Sequence, residues 1–133
     1  MPYLNVKIVA PASKETAAKV ASLLSDLTAS MLGKKPELTA VAVEFVQPEF
    51  WFVGGVPVST SGVSTFYLDI KVTEGTNTKN EKAAYVKQVF AGMQAILGGV
   101  ASASYIVIDE VHADAWGYQG ETQESRYIKG KSL

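Results

Sequence analysis

Proline stands second in the chain, directly behind the initiator methionine and at the head of an apolar stretch, in Met1-Pro2-Tyr3-Leu4-Asn5-Val6-Lys7-Ile8-Val9. Removal of Met1 would leave Pro2 as a free secondary amine on a rigid ring. An α-amino group titrates near pH 8, roughly two units below a lysine side chain. Mild desolvation or a nearby positive charge lowers it further, so such an amine can act as a general base at physiological pH. The alternative is a proline that merely begins a strand, where its missing N–H does no harm. Little else offers chemistry of its own. The chain has no cysteine, hence no disulfide or thiolate, and its single histidine, His112, cannot build a histidine cluster, which argues against zinc. The only arginine is Arg126, so lysines or backbone N–H groups must hold any anion. The carboxylates Glu44, Asp69, Asp109 and Glu110 lie in no motif that assigns them a reaction.

The totals describe a chain able to position such a group. Its 133 residues suit one domain, and 47% hydrophobic with 19% charged residues suits a packed core and not a disordered chain. Lysine plus arginine (12) nearly balances aspartate plus glutamate (13), so there is no basic field for nucleic acid. No secretory signal and no membrane-length apolar run is evident. These features predict a soluble cytoplasmic protein with neither a nucleic-acid nor a membrane partner.

Alternation of Leu4, Val6 and Ile8 against Asn5 and Lys7 predicts a first strand over 3–9. Ser13 is a suitable N-cap for a helix with Val20, Leu24, Leu27 and Met31 on one face, closed by Gly33. Val41, Val43 and Phe45 form a second strand that stops near Pro48. Residues 47–63, with three aromatics, two prolines and three glycines, read as a shaped loop holding a short hairpin. A third strand spans about Thr65 to Val72. Thr78 and Glu81 have capping-box spacing before a second helix, whose expected stripe is Val86, Phe90, Met93 and Leu97. Gly98-Gly99 ends it, and Tyr105 to Val111 makes a fourth strand. From Gly117 onward the sequence is polar with scattered aromatics, as in a hairpin or a packing arm.

The halves repeat each other. Leu4, Val6 and Ile8 precede Leu68, Ile70 and Val72 by 64 positions, the two helical stripes are offset by 66, and Trp51 and Gly55 precede Trp116 and Gly120 by 65. We therefore expect one domain over 1–133, with repeats at about 2–63 and 64–120 and a tail over 121–133. Its fold class is α/β (α+β): two tandem β-α-β units forming a four-stranded sheet with two helices on one face. The strands read as apolar on both faces, so a second copy of the chain should cover the bare one.

The Met-Pro start, a β-α-β of this length and a Gly-Gly turn after an aromatic together resemble the tautomerase superfamily, whose members use an N-terminal proline as catalytic base or acid. Pro2 through Trp51-Phe52-Val53-Gly54-Gly55 looks like one subunit of 4-oxalocrotonate tautomerase. The second half, with Val72-Thr73-Glu74-Gly75 and Asp114-Ala115-Trp116-Gly117-Tyr118-Gln119-Gly120, looks like a second copy fused to it. The double length and the segment from Gly33 to Val43 are similar to the macrophage migration inhibitory factor branch. The resemblance covers about residues 2–120.

It implies a homotrimeric ring with active sites at subunit boundaries, in which a neutral proline takes a proton from a carbon α to a carbonyl and returns it elsewhere, without a cofactor. The substrate would be a small carbonyl compound or enol. Pro2 is then the catalytic residue. Lys34 matches a lysine that lowers the proline's proton affinity and attracts a carboxylate, although Lys34-Lys35 also suits a helix C-terminus. Tyr105 matches a tyrosine supplied by a neighbouring subunit, and Trp51 and Trp116 match a pocket-lining aromatic; ordinary packing would account equally for these three. The two arginines that hold a dicarboxylate in 4-oxalocrotonate tautomerase fall on Ala12 and Ala42 in one repeat and Thr76 and Tyr105 in the other, which favours a monocarboxylate or an uncharged enol. Other readings are a non-catalytic trimeric binding protein and a dehalogenase or decarboxylase of the superfamily.

Overall fold

The computed structural model describes residues 1–131. Its elements are β1 (Tyr3–Val9), α1 (Lys14–Leu32), β2 (Ala40–Phe45), the hairpin β3 (Phe52–Val53) and β4 (Val56–Pro57), β5 (Thr65–Thr73), α2 (Lys79–Leu97), β6 (Tyr105–Val111), a second hairpin β7 (Gly117–Tyr118) and β8 (Glu121–Thr122), and α3 (Gln123–Lys131). The long strands form one mixed sheet in the order β2-β1-β5-β6. β1 runs parallel to β2 and antiparallel to β5, and β5 runs parallel to β6. The fold is thus α+β, two β-α-β units joined through their first strands.

Leu4, Val6 and Ile8 of β1 and Phe66, Leu68, Ile70 and Val72 of β5 are buried in a single core with Val20 and Leu24 of α1 and Tyr85, Val89 and Met93 of α2. One shared core puts both long helices on the same face of the sheet. The helix ends obey the expected local chemistry. Ser13 accepts from the Thr16 amide, Thr78 and Glu81 form a reciprocal capping box, and Gly33 closes α1 with φ 69°, a left-handed conformation that costs glycine little.

Three expectations change. The buried line of α2 is Tyr85, Val89 and Met93, while Val86 is exposed and Phe90 and Leu97 only partly buried. An apolar count passes over Tyr85 because of its hydroxyl, which is paired with buried Thr28 Oγ1 at 2.9 Å. With this line the helix offset becomes 65, the same as between the two tryptophans: Val20, Leu24 and Thr28 stand 65 positions before Tyr85, Val89 and Met93. Second, the tail holds a hairpin followed by a third helix, α3, capped by Thr122, whose hydroxyl accepts from the Ser125 amide. Residues 132–133 of the expected tail lie outside the described residues. Third, the face of the sheet away from the helices is mixed, not apolar. It carries Tyr3, Tyr67, Tyr105 and Val107 by strand alternation, but also Asn5, Lys7, Asp69, Lys71 and Asp109. Lys71 lies 2.8 Å from Asp109 and 3.7 Å from Asp69.

Candidate active site

Pro2 is buried at the end of the sheet where β1 begins, and its carbonyl accepts from the Ala40 amide at the start of β2. The end of α1, the end of β5 and the start of α2 converge on the same corner. Gly33 turns the chain out of α1, so that the Gly33 and Lys34 amides satisfy Ala29 O and Thr28 O and Lys34 emerges in a fixed direction. Its Nζ donates to Thr76 Oγ1 at 2.8 Å, just past β5. Thr76 spends its own hydroxyl proton on Thr73 O at 2.6 Å, which leaves its lone pairs for the ammonium. Asn77 ties the start of α2 to the end of α1 by donating to Leu32 O.

The electrostatics of this corner favour anions and neutral amines. The Met1 ammonium is held below its ordinary value, first by burial and then by the charges of Lys34 and Lys35. Burial likewise lowers Lys34, with Glu81 pulling in the opposite direction.

The β7–β8 hairpin closes the corner. Trp116 Nε1 donates to Met1 O at 2.8 Å, and Gln123 Nε2 reaches Met1 Sδ at 3.5 Å. Arg126 is drawn into the same hairpin, where it donates to Tyr118 O and stacks 3.9 Å over the Tyr118 ring. Pro2, Lys34 and Trp116 are therefore gathered at one end of the sheet.

Trp51 and Tyr105 lie elsewhere. Tyr105 pairs in register with Tyr67, and Tyr67 with Lys7, four residues up β1 from Tyr3, roughly 13 Å along the strand. Trp51 and Tyr105 line one open groove of about 470 Å³ with Phe52, Tyr67 and Val107. A second hollow of about 570 Å³ includes Val9, Ala12, Phe45 and Ser64. Its Ala12 is the repeat partner of Thr76, so this is the first repeat's version of the Pro2 corner, without a lysine or an amine.

Gln123 is the site neighbour that the sequence left unmarked, while Thr76 was marked only as the position of a missing arginine. The repeat held a signal for Gln123. The Val58 amide donates to Trp51 O and, 65 positions on, the Gln123 amide donates to Trp116 O. Several other groups named from the sequence have partners of their own: Glu110 with Lys82, Glu44 with Asn5, and exposed His112 with Glu74. Among the described residues, no cluster of three or more His, Cys, Asp or Glu side chains is arranged to hold a metal ion, and no helix is long and apolar enough to cross a membrane.

A duplicated β-α-β sheet with proline at the start of its first strand defines a class, and the family comparison identifies it. The model of the tautomerase enzymes matches residues 2–61 and again 67–126, and the chain belongs to that family. No curated protein matches. Among solved structures, a fused 4-OT wild type symmetric trimer superposes with a TM-score of 0.82 at 18% identity, over 93% of this chain and 98% of the other. A macrophage migration inhibitory factor-like protein from Entamoeba histolytica gives 0.73 at 19% identity, over 91% and 97%. A macrophage migration inhibitory factor homologue from Prochlorococcus marinus gives 0.74 at 22%, over 90% and 97%. At these identities the likeness is one of fold.

Proposed function

We propose that the protein is a cofactor-independent tautomerase that moves a proton between positions α to a carbonyl, with Pro2, freed by removal of Met1, as the base and acid. The observation that carries this is the place of Pro2, buried at the corner where burial and the charges of Lys34 and Lys35 hold the Met1 amine below its ordinary value. The same causes would act in the same direction on a Pro2 amine once it is terminal. The neutral amine takes the α-proton, the C–H pair becomes the enol double bond, the carbonyl pair moves to oxygen, and the prolinium returns the proton to a second position. Lys34 supplies charge for a substrate carboxylate, and Trp116 walls the site. We read the chain as one domain acting in the cytoplasm as a homotrimer, as fused 4-OT is described, with Trp51 and Tyr105 reaching the site from a neighbouring subunit.

Phenylpyruvate ketonisation by Met1-free protein tests this. Pro2→Ala should cut kcat at least about 100-fold, the scale of a lost general base; a fully active variant would rule the mechanism out. An acetylenic 2-oxo acid offers a second probe, since a solved relative, Pt0534, is described as inactivated by 2-oxo-3-pentynoate. Addition of the Pro2 amine across the alkyne should raise the intact mass by one reagent.

A specific observation supports a second reading. Met1 is gripped by Trp116 and Gln123, and with Met1 attached the Pro2 nitrogen is a non-basic amide. A protein that keeps Met1 would be a binding scaffold, and the intact mass of native protein distinguishes the two.

A further inference from the structure

Met1 occupies the space next to the Pro2 nitrogen, so its partners report which groups face that space. Two side-chain donors do so. Trp116 Nε1 holds the Met1 carbonyl oxygen at 2.8 Å, and Gln123 Nε2 reaches the Met1 sulfur. Covalent geometry puts the first beside the reacting atom. An amide oxygen lies roughly 2.3 Å from its own nitrogen. With the 2.8 Å hydrogen bond added, the indole N–H is within about 5 Å of the Pro2 nitrogen. The Gln123 amide on Trp116 O pins the main chain from which the indole projects, and removal of Met1 would take away the acceptor that Nε1–H now uses. A half-buried N–H without a partner favours an incoming oxygen.

The first repeat serves as an internal control. Trp51 makes the same backbone bond, there to Val58, a buried apolar residue at the position of Gln123. Its hollow has Ala12 where the Pro2 corner has Thr76. Tryptophan thus recurs in both hairpins, and the glutamine beside it is found only in the hairpin that faces the amine.

Resting on the tautomerase reading of this corner, we propose that Trp116 is more than a pocket wall: its Nε1–H is the donor that binds the carbonyl oxygen of a 2-oxo acid and stabilises the oxyanion formed when Pro2 removes the α-proton, with Gln123 as a second, positioning donor. The step is balanced within the site, because the C–H pair becomes the C=C bond, the carbonyl π pair becomes the enolate charge facing Trp116, and the proton resides on Pro2 until it is returned. Trp116 thus serves the carbonyl, while Lys34 attends to the carboxylate. A neutral donor of this kind suits a chain whose one arginine is stacked on Tyr118.

The test uses full-length, Met1-free protein. Trp116→Phe keeps an aromatic wall and deletes the donor. It should lower kcat for phenylpyruvate about 100-fold, the low end of the effect of one oxyanion donor, with KM and Tm little changed. A second measurement uses the unaltered protein. It has two tryptophans, so an ¹⁵N spectrum shows two indole signals, and the one absent from Trp116→Phe is Trp116. Saturation with benzoylformate, a 2-oxo acid with no enolisable hydrogen, should move that proton downfield. A Trp116→Phe enzyme with unaltered kcat, a loss confined to KM, or an indole signal that does not move overturns the proposal. Because Pro2→Ala is assayed alongside, its inactivity in such a case leaves the tautomerase reading standing, whereas a fully active Pro2→Ala removes both.

Discussion

At the residue scale the decisive quantity is the proton affinity of one amine. A neighbouring cation disfavours the protonated form of Pro2, so Lys34 should hold the acidic limb of the pH–rate profile at lower pH than burial alone would. In Lys34→Gln that limb should move to higher pH. KM for a carboxylate substrate should rise about tenfold, the lower range of a hydrogen bond to a charged group. Profiles of kcat/KM for both proteins read the shift, and coincident limbs would mean that the lysine charge does not reach the amine. Pro2 and Lys34 were legible in the sequence because each stands beside its own punctuation, the initiator methionine in one case and the helix-ending Gly33 in the other. Thr76 was placed only as the position of a missing arginine. Its role as acceptor for Lys34 depends on its hydroxyl proton being committed to Thr73 O, a fact of turn geometry that leaves no trace in residue type. Gln123 was hidden by its polar surroundings and is recoverable only by setting it against Val58.

At the element scale, the interface of α1 and α2 holds a buried polar pair, Thr28 Oγ1 to Tyr85 OH at 2.9 Å, both side chains being fully buried. Burial pushes the Tyr85 phenol up to about 12, against an opposing pull from the hydrogen bond to Thr28. The sign follows. The folded protein keeps a proton that the unfolded chain gives up near pH 10. The contribution of Tyr85 is therefore whole below about pH 10 and is lost as pH rises towards about 12. Thr28→Val should cost about 1–3 kcal/mol in urea unfolding, since it strands the phenol hydroxyl. Tyr85→Phe should cost markedly less on the Thr28→Val background than on the unaltered one; additive losses would show the pair to be uncoupled. Helix and strand periods, caps and turns located all the long elements because each signal is local. The true line of α2 was missed because its first member is an aromatic whose polarity is cancelled 57 residues away in sequence. The short α3 was missed because its residues are polar almost throughout and its start is announced only by Thr122 and the repeat.

At the scale of the whole molecule, the residues proposed for the site do not all meet within one chain. Pro2, Lys34 and Trp116 share one end of the sheet, whereas Tyr105 and Trp51 share a groove at the other. The surface around that groove is apolar and open, with Phe50 74% and Tyr105 63% exposed, and β6 is an unpaired sheet edge. On the bare face Lys71 is matched by Asp69 and Asp109. In the proposed ring, each Pro2 corner is completed by the Tyr105 groove of a neighbour, and this arrangement can be tested by complementation. Pro2→Ala and Tyr105→Ala subunits, each with low activity alone, should regain activity when unfolded together and reassembled. In a random one-to-one mixture roughly a quarter of the sites combine an intact Pro2 with an intact neighbouring Tyr105, if each site draws on one neighbour. Sedimentation should report trimers for both variants and for the mixture. Trimers without restored activity would put Tyr105 outside the site, and a stable monomer at micromolar concentration would remove the shared site altogether.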